Sequence, residues 1–380
     1  MVTIAVTAEP DRAPPGGVSP QTGKKLRGPG AAPRGPPGRG ASSRFADETL
    51  KAQGATIAAS AAEAASGADI LLTVRRPDAA TVKALKPGAI VAAMLSPYDD
   101  RAGLDALATT GATLMAMEFM PRISRAQSMD VLSSQANLAG YKAVVDAAAH
   151  FGQAVPMMMT AAGTVPAAKA FIMGVGVAGL QAIATARRLG AIVSATDVRP
   201  ATKEQVASLG AKFIAVEDEE FKQAQTAAGY AKPMSAEYQK KQAELVANHI
   251  RAQDIVITTA LIPGRPAPKL ISTAMIESMK PGAVIVDLAA ERGGNTELTQ
   301  PGKTFEHKGV TIMGPLNLAG DVPVNASSLY AKNLLAFLET LIDKKEKALK
   351  INWDDEIVKG TLVAKDGKVV HPSLTPGGAR

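Results

Sequence analysis

Short apolar runs alternate with amphipathic segments along most of the chain. In the N-terminal third the apolar runs are TIAVT (3–7), ADILLTV (68–74), AIVAAML (89–95) and ATLMAM (112–117), with helical patterns such as DAATVKAL and DRAGLDALATT between them. Strand-like runs that alternate with helical patterns are typical of βα units and a parallel sheet. This region of the sequence therefore predicts an α/β domain.

The following region repeats the alternation with six runs. They are AKAFIM (168–173), AIVSAT (191–196), KFIAV (212–216), DIVITTA (254–260), AVIVDLA (283–289) and VTIMG (310–314). Six strands with intervening helices fit a complete doubly wound sheet. A helical run over 135–153 connects the two regions, and another over 325–342 returns to the first.

We therefore predict an α/β protein with two Rossmann-like, doubly wound parallel-sheet domains. The first is discontinuous and comprises residues 1–134 with 323–380, and the second comprises residues 135–322. Near the C-terminus, Asp366-Gly367 lies between alternating runs and predicts a β-hairpin. This hairpin either caps its own domain or serves a partner.

Residues 10–44 depart from this pattern. They contain eight Pro, eight Gly and almost no aliphatic side chain beyond Val18 and Leu26. Such a stretch buries too little apolar surface to offset its ordering entropy, so it is expected to be a disordered basic loop. Because a loop this long is unusual inside a compact domain, a second hypothesis is a shifted reading frame, which independent genomic reads would test.

Charge and composition exclude several classes of function. The formal net charge is +7, but residues 10–44 hold seven Lys or Arg and one acid, so the rest of the chain is close to neutral. Aromatic residues make up 4%, and we therefore expect no nucleic-acid partner. The chain has no cysteine, we predict no metal site, and no apolar run approaches the roughly 20 residues of a membrane span. We expect a cytoplasmic protein with no direct membrane insertion.

The stretch 168–199 carries the clearest chemical motif. A strand-like run ends in a GxGxxG turn and an Ala-rich helical pattern follows; the turn residues are Gly174, Val175, Gly176, Val177 and Gly179. The first glycine allows a tight turn, the second lets the backbone approach a pyrophosphate, and the third lets the helix pack closely on the strand. The phosphates then lie at the helix N-terminus. The alternative is a strand, turn and helix without a ligand.

An acidic residue follows this motif at the expected distance. Asp197 lies eighteen residues after Gly179, at the end of the second strand. A carboxylate there accepts hydrogen bonds from the ribose hydroxyls and repels a 2′-phosphate, so the sequence favours NAD(H) over NADP(H).

Several longer motifs resemble one family. The segments MPRISRAQSMDVLSSQANLAGY, PMMMTAAGTVPAAKAFIMGVGVAGLQAIATARRLGA, ATDVRPATKEQV, AGYAKPM and ITTALIPGRPAP closely resemble the NAD(H)-binding component of proton-translocating nicotinamide nucleotide transhydrogenase, a family similar to alanine dehydrogenase. The resemblance runs from about residue 54 to the C-terminus, apart from a divergent strip at 316–322.

The resemblance implies an enzyme subunit that is inactive without its partners. Hydride passes directly between NAD(H) on this chain and NADP(H) on a partner subunit, and a membrane-embedded subunit carries protons. It also implies a homodimer that is peripheral on the cytoplasmic face of the inner membrane.

The family's site residues transfer to matching positions. The polar loop supplies residues around the nicotinamide, with Asp130 able to pair with Arg122: Arg122, Gln127, Asp130 and Ser133. The cofactor-binding set comprises the turn residues and Asp197, Val198, Arg199, Gly229, Tyr230, Gln242 and Leu261. Among these, Gly229 and Tyr230 lie in an expected flap over 217–233.

Departures from the alanine dehydrogenase relatives narrow the chemistry. Where those relatives have a motif resembling VxKVKxP, this chain reads LLTVRRP, with Thr73 and Arg75 at the lysine positions. Met94 stands where their histidine follows. A general acid for pyruvate chemistry is therefore missing. A free-standing alanine dehydrogenase-like enzyme and a non-catalytic NAD-binding module remain the alternatives.

Overall fold

The computed structural model describes residues 2–7, 18–26, 31–224, 234–262 and 264–375. The chain forms two compact units. Unit 1 comprises Met1–Gln135 and Ala319–Arg380, and unit 2 comprises Ala136–Leu318. No helix in the described ranges is long and apolar enough to cross a membrane.

The first segment of unit 1 builds most of one sheet. Its elements are β1 (Val2–Val6), α1 (Pro20–Leu26), β2 (Ala31–Gly35), α2 (Asp47–Ala52), β3 (Thr56–Ile57), α3 (Ala61–Ala65), β4 (Ile70–Arg75), α4 (Ala79–Lys83), β5 (Ile90–Met94), α5 (Arg101–Ala108) and β6 (Thr113–Ala116). A 3-10 helix over Ser124–Met129 precedes α6 (Val131–His150), which begins four residues before the predicted helix.

Unit 2 follows with a second sheet. Its elements are β7 (Met158–Thr160), β8 (Gly163–Val165), β9 (Lys169–Met173), α7 (Val177–Arg188), β10 (Ile192–Thr196), α8 (Thr202–Ser208), β11 (Lys212–Phe213), α9 (Glu219–Lys222), α10 (Ala236–Ile250), β12 (Ile255–Thr258), α11 (Thr273–Glu277), β13 (Val284–Asp287), β14 (Thr304–His307) and β15 (Val310–Met313).

The chain then returns to unit 1. The returning elements are α12 (Pro323–Leu338), β16 (Ile342–Asp343), β17 (Ala348–Leu349), α13 (Glu356–Thr361), β18 (Leu362–Lys365) and β19 (Lys368–Val369). The expected C-terminal hairpin is present as β18 and β19, with Asp366 and Gly367 at positive φ in the turn. Because β18 pairs with β6, the hairpin completes the sheet of its own unit.

The sheet of unit 1 has the order β19-β18-β6-β5-β4-β1-β2-β3. Strands β1 to β6 are parallel, and alternate residues of β4 point to opposite faces, as the period of a strand requires. Ile70 and Leu72 pack with the core that includes α12, whereas Leu71 packs with the core that includes α4 and α5.

The sheet of unit 2 has the order β11-β10-β9-β12-β13-β15-β14. The six predicted strands are parallel and follow the doubly wound order, although β11 is confined to Lys212–Phe213. The antiparallel edge strand β14 and the small β7–β8 hairpin are additions that the sequence patterns did not predict. The chain order reverses between β9 and β12, where doubly wound folds bind ligands beyond the carboxyl ends of the strands.

The expectation of a disordered loop over 10–44 is wrong for its described segments, 18–26 and 31–44. Helix α1 places Leu26 in the unit 1 core, and Val18 packs there as well. Strand β2 lies between β1 and β3, with Ala5 opposite Arg34. Composition misled because backbone pairing in a sheet does not depend on large side chains, and two aliphatic anchors suffice to place α1.

Candidate functional site

The glycine turn of unit 2 has the geometry that its spacing predicts. Gly174 has a φ of +102°, and its amide donates to the Thr196 carbonyl at 2.9 Å. A Cβ on Gly179 would lie 1.9 Å from the Gly174 carbonyl oxygen, so only glycine permits this approach of α7 to the turn. A Cβ on Gly176 would have no described atom within 4 Å, which leaves this backbone open to a ligand.

Helix α7 begins directly after this open backbone. Its N-cap is Gly176, which has no side chain to bond the first-turn amides. Gly140 of α6 supports this end of the helix, because a Cβ there would lie 2.1 Å from the Ala178 carbonyl oxygen. Amides at a helix N-terminus that lack side-chain acceptors favour an anion such as a pyrophosphate.

Asp197 lies beside the turn and is already hydrogen bonded. One carboxylate oxygen accepts from the Val175 amide at 2.7 Å. The Arg199 guanidinium donates to both oxygens, at 2.9 and 3.0 Å, and the Arg199 backbone amide also donates to Oδ1. These hydrogen bonds raise the pKa of Arg199. The expected ribose hydroxyls would therefore have to replace the Arg199 donors.

A second loop borders the turn after β12. The Thr259 hydroxyl donates to the Gly174 carbonyl at 3.1 Å, and Leu261 is 53% exposed. Buried Asn295 holds this loop through both directions of its amide: it accepts from the Ala260 amide and donates to the Ala260 carbonyl. The sequence analysis missed Thr259 and Asn295, and the only signal for them was their place after a strand and in a Gly-Gly turn.

Gln242 is engaged inside unit 2. Its side-chain oxygen accepts from the Val216 amide at 2.9 Å, and its nitrogen donates to the Thr196 hydroxyl at 3.1 Å. This geometry favours a structural brace between β10 and the loop after β11. Gly229 and Tyr230 lie outside the described residues, whereas Val177 and Val198 are exposed beside the turn and Asp197.

The polar loop of unit 1 contains the other expected residues. Gln127 and Arg122 are exposed, and Gln127 lies on the 3-10 helix. Asp130 accepts from the Ser133 amide at 2.9 Å and from the Ser133 hydroxyl at 2.6 Å. Asp130 and Ser133 thus form the N-terminal cap of α6.

Two anchors of this loop were missed from the sequence. Arg125 makes two 2.8 Å hydrogen bonds to Asp355, the N-cap of α13. Buried Asn333 of α12 donates to the Ser128 carbonyl. Partners more than 200 residues away leave no local pattern in the sequence.

The positions that correspond to the dehydrogenase lysines and histidine have other contacts. The buried Thr73 carbonyl accepts from the Tyr330 hydroxyl at 3.0 Å, and Met94 packs against the apolar core of unit 1. Among the described residues, no cluster of three or more His, Cys, Asp or Glu could hold a metal ion.

Comparisons with known proteins agree with this geometry. The model of the alanine dehydrogenase/PNT N-terminal domain matches residues 17–139, and that of the C-terminal domain matches residues 143–372. The chain is 54% identical to an NAD(P) transhydrogenase subunit alpha chain of Rhodospirillum rubrum over 367 residues, which cover 95% of this chain and 96% of that one.

Solved structures extend the likeness. The crystal structure of a transhydrogenase from Sinorhizobium meliloti superposes with a TM-score of 0.88 at 54% identity, covering 97% of this chain and all of that one. An L-alanine dehydrogenase superposes with a TM-score of 0.81 at 24% identity, over 98% of both chains, and shows the shared fold.

Proposed function

This chain belongs to the alanine dehydrogenase/PNT family, and from that premise we propose that it is the NAD(H)-binding subunit of a proton-translocating transhydrogenase. In this proposal, hydride passes directly between NAD(H) on this chain and NADP(H) on a partner subunit. A membrane-embedded subunit couples the transfer to proton translocation. The similarity to transhydrogenase alpha subunits supports the assignment.

The open backbone at Gly176 is the observation that carries the cofactor assignment within the proposal. The pyrophosphate of NAD(H) would lie against Gly176 and the first turn of α7, where no side-chain cap competes for the amides. Asp197 would accept the ribose hydroxyls once the Arg199 donors give way. Val198 and Leu261 offer exposed apolar surface beside these groups. The residues present therefore fit NAD(H).

The remaining chemistry favours transhydrogenation over dehydrogenation of a small carbonyl. When bound, the nicotinamide supplies the hydride donor or acceptor. Transfer between two nicotinamides requires positioning and exclusion of water, but no general acid. Thr73 and Met94 supply no such acid at the positions where alanine dehydrogenase relatives have their lysine and histidine. Arg122 and Gln127 would hold the nicotinamide through its carboxamide and ribose, and Asp130 with Ser133 would fix the segment that follows.

The assembly around this chain belongs to the same proposal. We expect a homodimer on the cytoplasmic face of the inner membrane, with one membrane subunit and one NADP(H)-binding subunit. Genes for two such subunits beside the gene for this chain would support it, and co-purification of the three products would test it.

Partner dependence is the decisive experiment. The isolated protein should bind NADH but reduce neither pyruvate with ammonia nor another small carbonyl. Adding the NADP(H)-binding subunit loaded with NADPH should give stopped-flow reduction of an acetylpyridine NAD analogue. Enzyme-like reduction of pyruvate by this chain alone would support the dehydrogenase alternative. Binding of NADH without transfer in the complete mixture would support the non-catalytic module.

Gln127→Asn tests the polar loop. The side chain becomes shorter by one methylene while its amide remains, so the nicotinamide should be misplaced and most binding contacts kept. We expect the transfer rate to fall by roughly tenfold to a hundredfold and the Kd for NADH to change little. The exposed Gln153→Asn is the matched control. An unchanged transfer rate in Gln127→Asn would exclude the role assigned to this residue.

A further inference from the structure

Helix α12 carries one buried amide on a largely apolar face. Asn333 is 7% exposed, and its helix neighbours Tyr330, Leu334 and Phe337 belong to the unit 1 core. A buried polar side chain is retained without penalty only where hydrogen bonds replace those it made to water. The contacts of Asn333 therefore indicate what the amide does.

Both halves of the Asn333 amide bind the polar-loop region. Nδ2 donates to the Ser128 carbonyl at 2.8 Å, and Oδ1 accepts from the Ser134 hydroxyl at 2.7 Å. The orientation of the amide is fixed, because a backbone carbonyl can only accept a hydrogen bond. One side chain thus links the end of the 3-10 helix to the first turn of α6.

The segment between these two attachment points contains residues of the proposed site. Gln127 directly precedes Ser128, and Asp130 and Ser133 lie between Ser128 and Ser134. The Asp130 cap joins its two ends a second time through Ser133. Within the described chain the exposed side-chain amide of Gln127 makes no hydrogen bond, so its placement depends on the backbone that Asn333 holds.

We propose that Asn333 is a positioning residue for hydride transfer, which acts by fixing the Ser128 carbonyl and with it the backbone that presents Gln127. The proposal rests on the transhydrogenase function. Asn333 is not a catalytic residue, because its contacts are to the protein backbone and to Ser134.

The two hydrogen bonds can be removed separately. Asn333→Asp retains an acceptor for the Ser134 hydroxyl but faces the Ser128 carbonyl with an oxygen instead of a donor. Ser134→Ala removes the other bond and leaves the Ser128 attachment intact. The inference predicts that the first change impairs transfer and that the second affects it far less.

The test uses the complete mixture of this chain, the NADPH-loaded partner subunit and the acetylpyridine NAD analogue. In Asn333→Asp we expect the single-turnover rate to fall about tenfold or more, while the Kd for NADH changes by less than about twofold. Asn325→Asp, the same substitution at an exposed position of the same helix, should transfer hydride at the parent rate. Exchange of the Gln127–Asp130 amides should become faster in Asn333→Asp alone.

A double-mutant cycle separates positioning from a general loss of structure. If Asn333 acts through Gln127, Asn333→Asp combined with Gln127→Asn should be hardly slower than Gln127→Asn alone. Independent effects, whose rate losses multiply, would overturn the inference, and so would a parent-like rate in Asn333→Asp. If Asn333→Asp does not fold, Asn333→Ser carries the same test. A parent protein that transfers no hydride would instead refute the proposed function.

Discussion

At the scale of single residues, Asp197 shows how a correctly placed side chain acquires its properties from its partners. Its position after β10 follows from the spacing of the motif. Its carboxylate, however, is paired with Arg199 and 7% exposed, so nucleotide selection depends on both residues. While the pair holds, the guanidinium is kept from any phosphate.

We expect the parent protein to bind NADH at least about tenfold tighter than NADPH. Asp197→Asn should narrow this preference, because it removes the charge that repels a 2′-phosphate and releases the Arg199 guanidinium to bind one. Calorimetric titration of both nucleotides measures the ratio. In the double variant Asp197→Asn/Arg199→Met the gain in NADPH affinity should disappear. Equal affinities in the parent would contradict this account of specificity.

At the scale of elements, the turn after β2 contains a costly side chain. Arg39 is 2% exposed, and none of its three guanidinium nitrogens has a hydrogen-bond partner in the described structure. Burial lowers the pKa of Arg39 to about 10, although Asp47 acts in the opposite direction. A buried cation without hydrogen bonds opposes folding. The shifted-frame hypothesis for this stretch stays a prediction.

Arg39→Met should therefore stabilise the protein, since it keeps much of the side-chain volume and removes the desolvated charge. We expect the free energy of unfolding to rise by about 1–4 kcal/mol, the range found when buried ionic groups are replaced by apolar ones. Thermal unfolding followed by circular dichroism measures the change. The exposed Arg251→Met should have almost no effect. A lower melting temperature in Arg39→Met would show that the guanidinium contributes to stability.

The 3-10 helix of the polar loop and α13 are joined by a pH-dependent contact. Hydrogen bonding to Arg125 is the main cause that lowers the pKa of Asp355. A carboxylate with a lowered folded-state pKa contributes stability above its unfolded pKa of about 3.9 and loses that contribution as the pH falls through the folded value. Low pH should therefore weaken this attachment of the loop.

Asp355→Asn isolates that contribution, because asparagine can still cap α13 but carries no charge. At neutral pH the variant should melt at a lower temperature than the parent. The difference should shrink as the pH falls below about 3.9, where the parent carboxylate also becomes neutral. The neighbouring Asp354→Asn is the control, since Asp354 is 90% exposed. A difference that is constant with pH would show that the charge of Asp355 is not responsible.

At the scale of the whole molecule, two doubly wound sheets share one chain that leaves unit 1 at Gln135 and returns to it at Ala319. Periodicity of the apolar runs predicted both sheets, because each strand must bury its apolar residues against helices packed on the sheet. It did not predict β14 or β2: an edge strand has little apolar signal, and β2 is held by backbone pairing with its neighbours.

The sequence by itself determined the α/β class, the parallel sheets and the glycine turn, because these follow from residue types at short, fixed spacings. It also identified the family and hence the candidate site residues. Only the tertiary structure decided which partners these residues have: Arg199 on Asp197, Asp355 on Arg125, and Asn333 on Ser128. The last pair is separated by 205 positions. Such contacts depend on how distant segments pack, and no local pattern of residues encodes them.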